Sequence, residues 1–276
     1  MVKINVLKFG KVEEVVVKKI LEIINDTYNQ IKQSKIEIVD LHIFEKSSTM
    51  NLFMVEEKRK LGILTSNFEE SYFATHDAWY GIPRIFLCLE KIKEKPWMVV
   101  VGGLRHEVAH TILHGSPEYY ILTLPKAFKK LNLPLKILEN LTYLVSVAVK
   151  DYEVTRLLYN EGFVEDQVAY CKYFLKPTIE DLKDWETAKL NPLTKIIFLT
   201  AYIKNLCCAT PLLKDKNFGL EIEKAINESL IFLPKEIASK IFRVIKATEK
   251  FGLDTHQNIE ILSVEIVKNF IVKPNG

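Results

Sequence analysis

"GGLRHEVAHTILHG" (102–115) carries three of the chain's six histidines at four-residue intervals, with a glutamate directly after the first. His106, Glu107 and His110 make the pattern H-E-x-x-H. On a helix, residues four apart lie on one face, a turn apart. Two imidazoles so placed can both reach one metal ion at the ~2.0–2.1 Å zinc–nitrogen distance. Glu107 projects about 100° round the helix from His106. It does not share the direction of the histidines, but its carboxylate can reach a water held on the metal. The ion lowers the pKa of that water. The carboxylate takes its proton during attack on a carbonyl and then hands it to the leaving amine. Ligand, base, two spacers, ligand is the logic of the spacing. Val108, Ala109, Ile112 and Leu113 supply the apolar body of a buried helix around it. His114 lies about 12 Å along the axis from His106, too far to join the other two on one ion in a regular helix. Its alternatives are a cation favoured by the dipole at a helix C-terminus or a group standing behind the ligands.

Working outward, Pro96 suits a first helical turn and Gly115 followed by Ser116-Pro117 suits an end, which predicts a helix over 96–115. Upstream the pattern is mixed. Residues 3–8 alternate as a strand, and 12–33 carry helical spacing at Val16, Ile20, Ile24, Tyr28 and Ile31. "KIEIVDLHIFE" (35–45) alternates again, 48–60 suits a short helix, and "GIPRIFLCLEKI" (81–92) is β-rich with a proline near its start, as an edge strand allows. Downstream of Pro96 helical signals follow one another. An apolar-striped segment covers 135–160, Asn191-Pro192 opens a helix through about Cys208, Pro234 opens one that Gly252 closes, and Asp254-Thr255 opens the last. The expected fold is α+β: an α/β part over 1–124 that contains the 96–115 helix, then a helical part over 125–276.

Composition narrows the function. Lys and Arg number 38 against 35 Asp and Glu in 276 residues, spread along the chain with no basic stripe, so no nucleic-acid partner is expected. The four cysteines show no CxxC spacing and fit reduced thiols in a reducing compartment. The N-terminus lacks the apolar run of a signal peptide. The longest apolar stretches, around Met98–Val101 and Ile196–Ile203, fall short of the ~18 residues of a membrane span. The expectation is a cytoplasmic protein with no membrane partner. No phosphate-cradling glycine motif is present.

H-E-x-x-H is the motif of the zincin metallopeptidases, and "HEVAHTILHG" resembles the ImmA-type and related cytoplasmic zincins over roughly residues 35–160. The resemblance implies a β-sheet before the active helix, with an edge strand lining the cleft. It also implies one Zn2+ per chain, a peptide or protein substrate, Glu107 as general base, and His106 and His110 as ligands. The third ligand is implied to be a carboxylate on a later helix. "DYEVTRLL" (151–158) is similar to the ligand-bearing helix of such peptidases with Asp151 at the ligand position, though the family has glutamate there and Asp or Asn at the position of Thr155. The alternatives are Glu139 and Glu153. Helix phase separates them. Asp151 is the sole charge on a stripe of Leu144, Val147, Ala148, Val154, Thr155 and Leu158, where a lone carboxylate is costly unless paired or metal-bound. Glu139 and Glu153 share a face with Tyr143, Ser146, Lys150 and Asn160, where a solvated glutamate is expected. A buried pair of Asp151 with a lysine or arginine is the alternative to ligation.

"THDAWYG" (75–81) and Tyr119-Tyr120 offer side chains to hold an oxyanion, against packing roles in turns; His42, alternating within a strand, reads as structural. Two functions follow. One is a zinc-dependent peptidase. The other is a non-hydrolytic protein in which zinc staples the helices and the helical half binds a protein partner. Glu107 favours the first, since a structural site needs ligands but no base.

Overall fold

The computed structural model describes residues 2–32, 35–61 and 72–271. The chain divides into two compact units, residues 1–120 and 121–276, against an expected division after 124. The architecture is α+β: a four-stranded mixed sheet with helices in the first unit and helices in the second.

In the first unit β1 (Lys3–Phe9), α1 (Glu14–Gln30), β2 (Ile38–Phe44), α2 (Ser47–Lys60), β3 (Ala74–Asp77), β4 (Arg84–Cys88), α3 (Leu89–Ile92) and α4 (Trp97–His114) follow in order. Residue 33, the expected end of α1, lies outside the described residues. Strand order is β1-β2-β4-β3, with β1, β2 and β4 parallel and β3 antiparallel to β4. Helical crossovers are what parallel pairing requires, and α1 and α2 supply segments of them.

Residues 81–92 are not an edge strand. β4 lies between β2 and β3 and is buried along its whole length, and 89–92 is helical. Pro83 stands at the entry to the strand, where its carbonyl accepts from Asp40 N at 3.0 Å and its missing N–H breaks no ladder bond. The edges are β1 and β3, and the four residues of β3, ATHD, are too short and polar to announce a strand.

One sheet face presents Phe44, Phe86 and Cys88 to Met50 and Met54 of α2, with Phe9 and Phe53 packed against them. His42 joins this aromatic cluster, stacked on Phe9 and tilted against Phe53 and Phe86. Burial, with the Arg84 charge adding to it, pushes its pKa down to about 4, so it sits neutral in a structural role. α4 packs against β3 and β4 with α1 beside it, and its burial extends round most of its circumference.

Gly103 makes that packing possible. A Cβ there would stand 2.3 Å from Cζ of Phe73, a fully buried ring. Gly103→Ala is therefore expected to destabilise the protein. Overpacking costs about 1–3 kcal/mol, against the roughly 1 kcal/mol by which alanine outranks glycine in a helix. Thermal unfolding measures the balance; a Tm at or above wild type would show that Phe73 yields.

In the second unit α5 (Lys126–Lys129), α6 (Leu135–Asn160), α7 (Glu165–Leu175), α8 (Ile179–Ala188), α9 (Pro192–Ala209), α10 (Gly219–Ser229), α11 (Lys235–Ile245) and α12 (Thr255–Ile266) follow. α6 packs along α9, and α12 packs on α6. Asn191 caps α9 by accepting from Leu193 N and Thr194 N, and Asp254 caps α12 by accepting from Gln257 N, as capping predicts. Pro192–Lys214 is long and apolar enough, by composition, to cross a membrane, and 67% of its apolar window is buried inside the protein. All four cysteines are free and buried.

Candidate metal centre

α4 begins just after Pro96, whose carbonyl accepts from Val99 N and Val100 N, and its C-cap is Gly115. The two halves of H-E-x-x-H therefore sit in regular helix. His106 and His110 are each 3% exposed. Their Nε2 atoms face one another at 3.1 Å. Two nitrogens bound tetrahedrally to one zinc at ~2.05 Å stand about 3.3 Å apart, so the pair has the bite of a chelate. In neutral imidazole only one ring nitrogen bears a proton, and both Nε2 lone pairs are available when the protons sit on Nδ1.

α4 is braced from α1. Thr111 Oγ1 donates to Val108 O at 2.7 Å, and the Tyr28 hydroxyl donates to Thr111 Oγ1 at 2.6 Å. Burial raises the Tyr28 pKa well above its ordinary value, which keeps this phenol a donor. Arg105 Nη2 reaches Asp26 Oδ2 at 2.9 Å. These contacts hold the turn that carries His106 and His110.

Glu107 meets the edge strand β3. Its Oε2 lies 2.7 Å from His76 Nδ1 on β3. An ionised carboxylate only accepts, so His76 donates from Nδ1. The His76 ring also stacks on His110, with centroids 3.9 Å apart. β3 is pinned in turn. Asp77 accepts twice from Arg84, at 2.7 Å from Nε and 2.8 Å from Nη2, while Arg84 Nη1 donates to Glu57 of α2 at 2.8 Å. This buried, bidentate arrangement fixes the orientation of the strand that carries His76.

Tyr120 stands edge-on to Trp79 and tilted towards His76. Burial first, then the Asp77 and Glu107 charges, raise its pKa far above the ordinary phenol value, so it remains an O–H donor. Tyr119 packs edge-on against His114. The Arg84 guanidinium lies over the Tyr80 ring. "THDAWYG" offered His76 as a candidate against a packing role, but the contact of His76 with the Glu107 carboxylate left no mark in the spacing.

Asp151 lies half-buried on α6. The stripe expected around it is present, with Ala148, Val154, Thr155 and Leu158 buried. Its charge is felt by Lys150, Cys171 and Cys207. Glu139 is exposed as expected. Glu153 is not solvated. It is 5% exposed and accepts from Thr255 Oγ1 at 2.8 Å and Asn258 Nδ2 at 2.6 Å, both on α12. Ser146 and Lys150 of the same face are buried too. The expected solvent face of this helix is thus covered, and Glu153 is committed to α12 by two hydrogen bonds.

Comparisons with protein-family models, with curated proteins and with solved structures return no match for this chain.

Proposed function

We propose that the chain is a zinc-dependent peptidase of the zincin type, working in the cytoplasm on a peptide or protein substrate. The observation that carries this is the convergence of His106 Nε2 and His110 Nε2 with Glu107 held beside them from an edge strand. In this proposal Asp151 is the third donor. That choice rests on the likeness of the 151–158 segment to the ligand-bearing helix of such peptidases and on the apolar stripe that surrounds Asp151 on α6. Two imidazoles and a carboxylate suit zinc, and three protein donors rather than four suit a catalytic site over a structural one.

Bound there, zinc would supply Lewis acidity, polarising a carbonyl and acidifying water. The remaining work belongs to the chain. Glu107 accepts the proton of the attacking water and returns it to the departing amine. His76 holds the accepting carboxylate by its second oxygen. Tyr120 offers an O–H donor for charge developing on the carbonyl oxygen. The outer rim of β3 offers backbone groups along which an extended peptide can lie.

Purified protein is expected to hold close to one zinc per chain by elemental analysis. Asp151→Ala is expected to weaken zinc by more than the about 10–100-fold typical of groups behind the ligands. Glu153→Ala should keep wild-type zinc affinity and lose thermal stability, because it strips Thr255 and Asn258 of their buried acceptor. Competition with a chelator measures both. Weakened zinc in the Glu153 variant alone would move the third ligand off Asp151.

A further inference from the structure

We infer that His114 is a positioning residue that sets the tautomer of His110 and so makes His110 competent to bind metal; the inference rests on the zinc site proposed above. The His110 ring is engaged at both nitrogens. Nε2 faces His106 Nε2 at 3.1 Å, and Nδ1 faces His114 Nδ1 at 3.2 Å. These two contacts are not independent. Neutral imidazole carries one proton. If it sits on Nδ1, His110 donates to His114 and the Nε2 lone pair is open towards His106. If His114 is the donor, His110 must accept at Nδ1 and carry its own proton on Nε2, where it blocks ligation. Metal binding through Nε2 therefore selects the first arrangement, with His114 accepting at Nδ1 and protonated at Nε2.

The surroundings fix both rings for this. His114 is 1% exposed and Tyr119 packs edge-on against it at 5.1 Å. His110 is held in plane by the His76 ring stacked on it. Ligating histidines commonly donate their other N–H to a carboxylate or a carbonyl, which orients the ring and raises its basicity. Here an imidazole on the next helical turn takes that place. The two four-residue intervals in "HEVAHTILH" (106–114) thus do different work: the first joins His106 and His110 through Nε2, and the second joins His110 and His114 through Nδ1. In this arrangement His114 contacts His110 and is assigned no place on the metal, in keeping with its distance from His106 along the helix.

The test uses the full chain with His114→Phe and His114→Asn, reading zinc affinity by chelator competition. Phenylalanine keeps a ring for Tyr119 to pack on but removes the acceptor. Asparagine restores an acceptor near the Nδ1 position. The Phe variant is expected to bind zinc about 10–100-fold more weakly, in the range for loss of such partners, and the Asn variant to recover most of that loss. Long-range 1H–15N spectra of zinc-loaded wild type should place the His110 proton on Nδ1. Undiminished zinc affinity in the Phe variant would overturn the inference, as would Phe and Asn variants equally weakened, which marks a packing role. A wild-type protein that takes up no zinc would overturn the proposed function and this inference together. Zinc-loaded wild type with an indifferent Phe variant would overturn this inference alone.

Discussion

Glu107→Gln is expected to keep its zinc and to lose peptide hydrolysis, with kcat lower by about 10²–10⁴-fold, the usual contribution of a positioned general base. The substitution changes little but the chemistry of one group. Glu107 is buried against β3, and its Oε2 accepts from His76 Nδ1 at 2.7 Å. A glutamine can turn its carbonyl oxygen to the same donor. The His76 ring then keeps its place on His110, and the two Nε2 atoms keep their approach. What disappears is the capacity to accept a proton, because an amide is not basic near neutral pH. Zinc content and turnover on a peptide cleaved by wild type separate the two effects. Turnover at the wild-type rate would remove Glu107 from the base role, and loss of zinc would show that the carboxylate supports the ligands directly.

How far the sequence carried to this point follows from which signals are local. The bounds of α6, Leu135–Asn160, coincide with the expected segment because they are local: Pro134 lies before it and Gly162 after. The start of α9 was legible for the same reason, with Asn191 and Pro192 as cap and first turn. The sheet was not. Pro83 suggested an edge, yet a proline just outside a strand removes no ladder bond, and β4 lies inside the sheet. The edge strand beside it, β3, was illegible because His76 and Asp77 answer to Glu107 and Arg84 and not to a period of two.

The same division holds on α6. Helix phase correctly grouped Asp151 with apolar neighbours and set Glu153 apart from them. It could not show what covers the other face, because Thr255 and Asn258 arrive from more than a hundred residues away. In α4, spacing grouped His106 with His110, and the structure brings their Nε2 atoms to 3.1 Å. That His110 meets one neighbour through Nε2 and the other through Nδ1 is a matter of rotamers, which spacing does not encode.

Replacing both His106 and His110 with alanine is expected to abolish stoichiometric zinc and, with it, the dependence of stability on metal. A ligand that binds only the folded state stabilises it by RT ln(1 + [L]/Kd), about 4 kcal/mol when free zinc is a thousandfold above Kd. Wild-type protein should therefore lose several degrees of Tm when a chelator removes its zinc. The double variant should melt at the same temperature with and without chelator. Its own baseline is set by opposing local effects. Two buried rings, each 3% exposed, are deleted from a packed helix, which leaves a cavity. Alanine favours the helix over histidine, and two nitrogens facing one another at 3.1 Å no longer have to be accommodated without an ion between them. The diagnostic quantity is accordingly the chelator-induced shift within each protein, not the difference in Tm between proteins. Elemental analysis gives the companion measurement. A double variant that still purifies with one zinc per chain, or still loses Tm on chelation, would place the metal elsewhere and leave the pairing of His106 and His110 as packing alone.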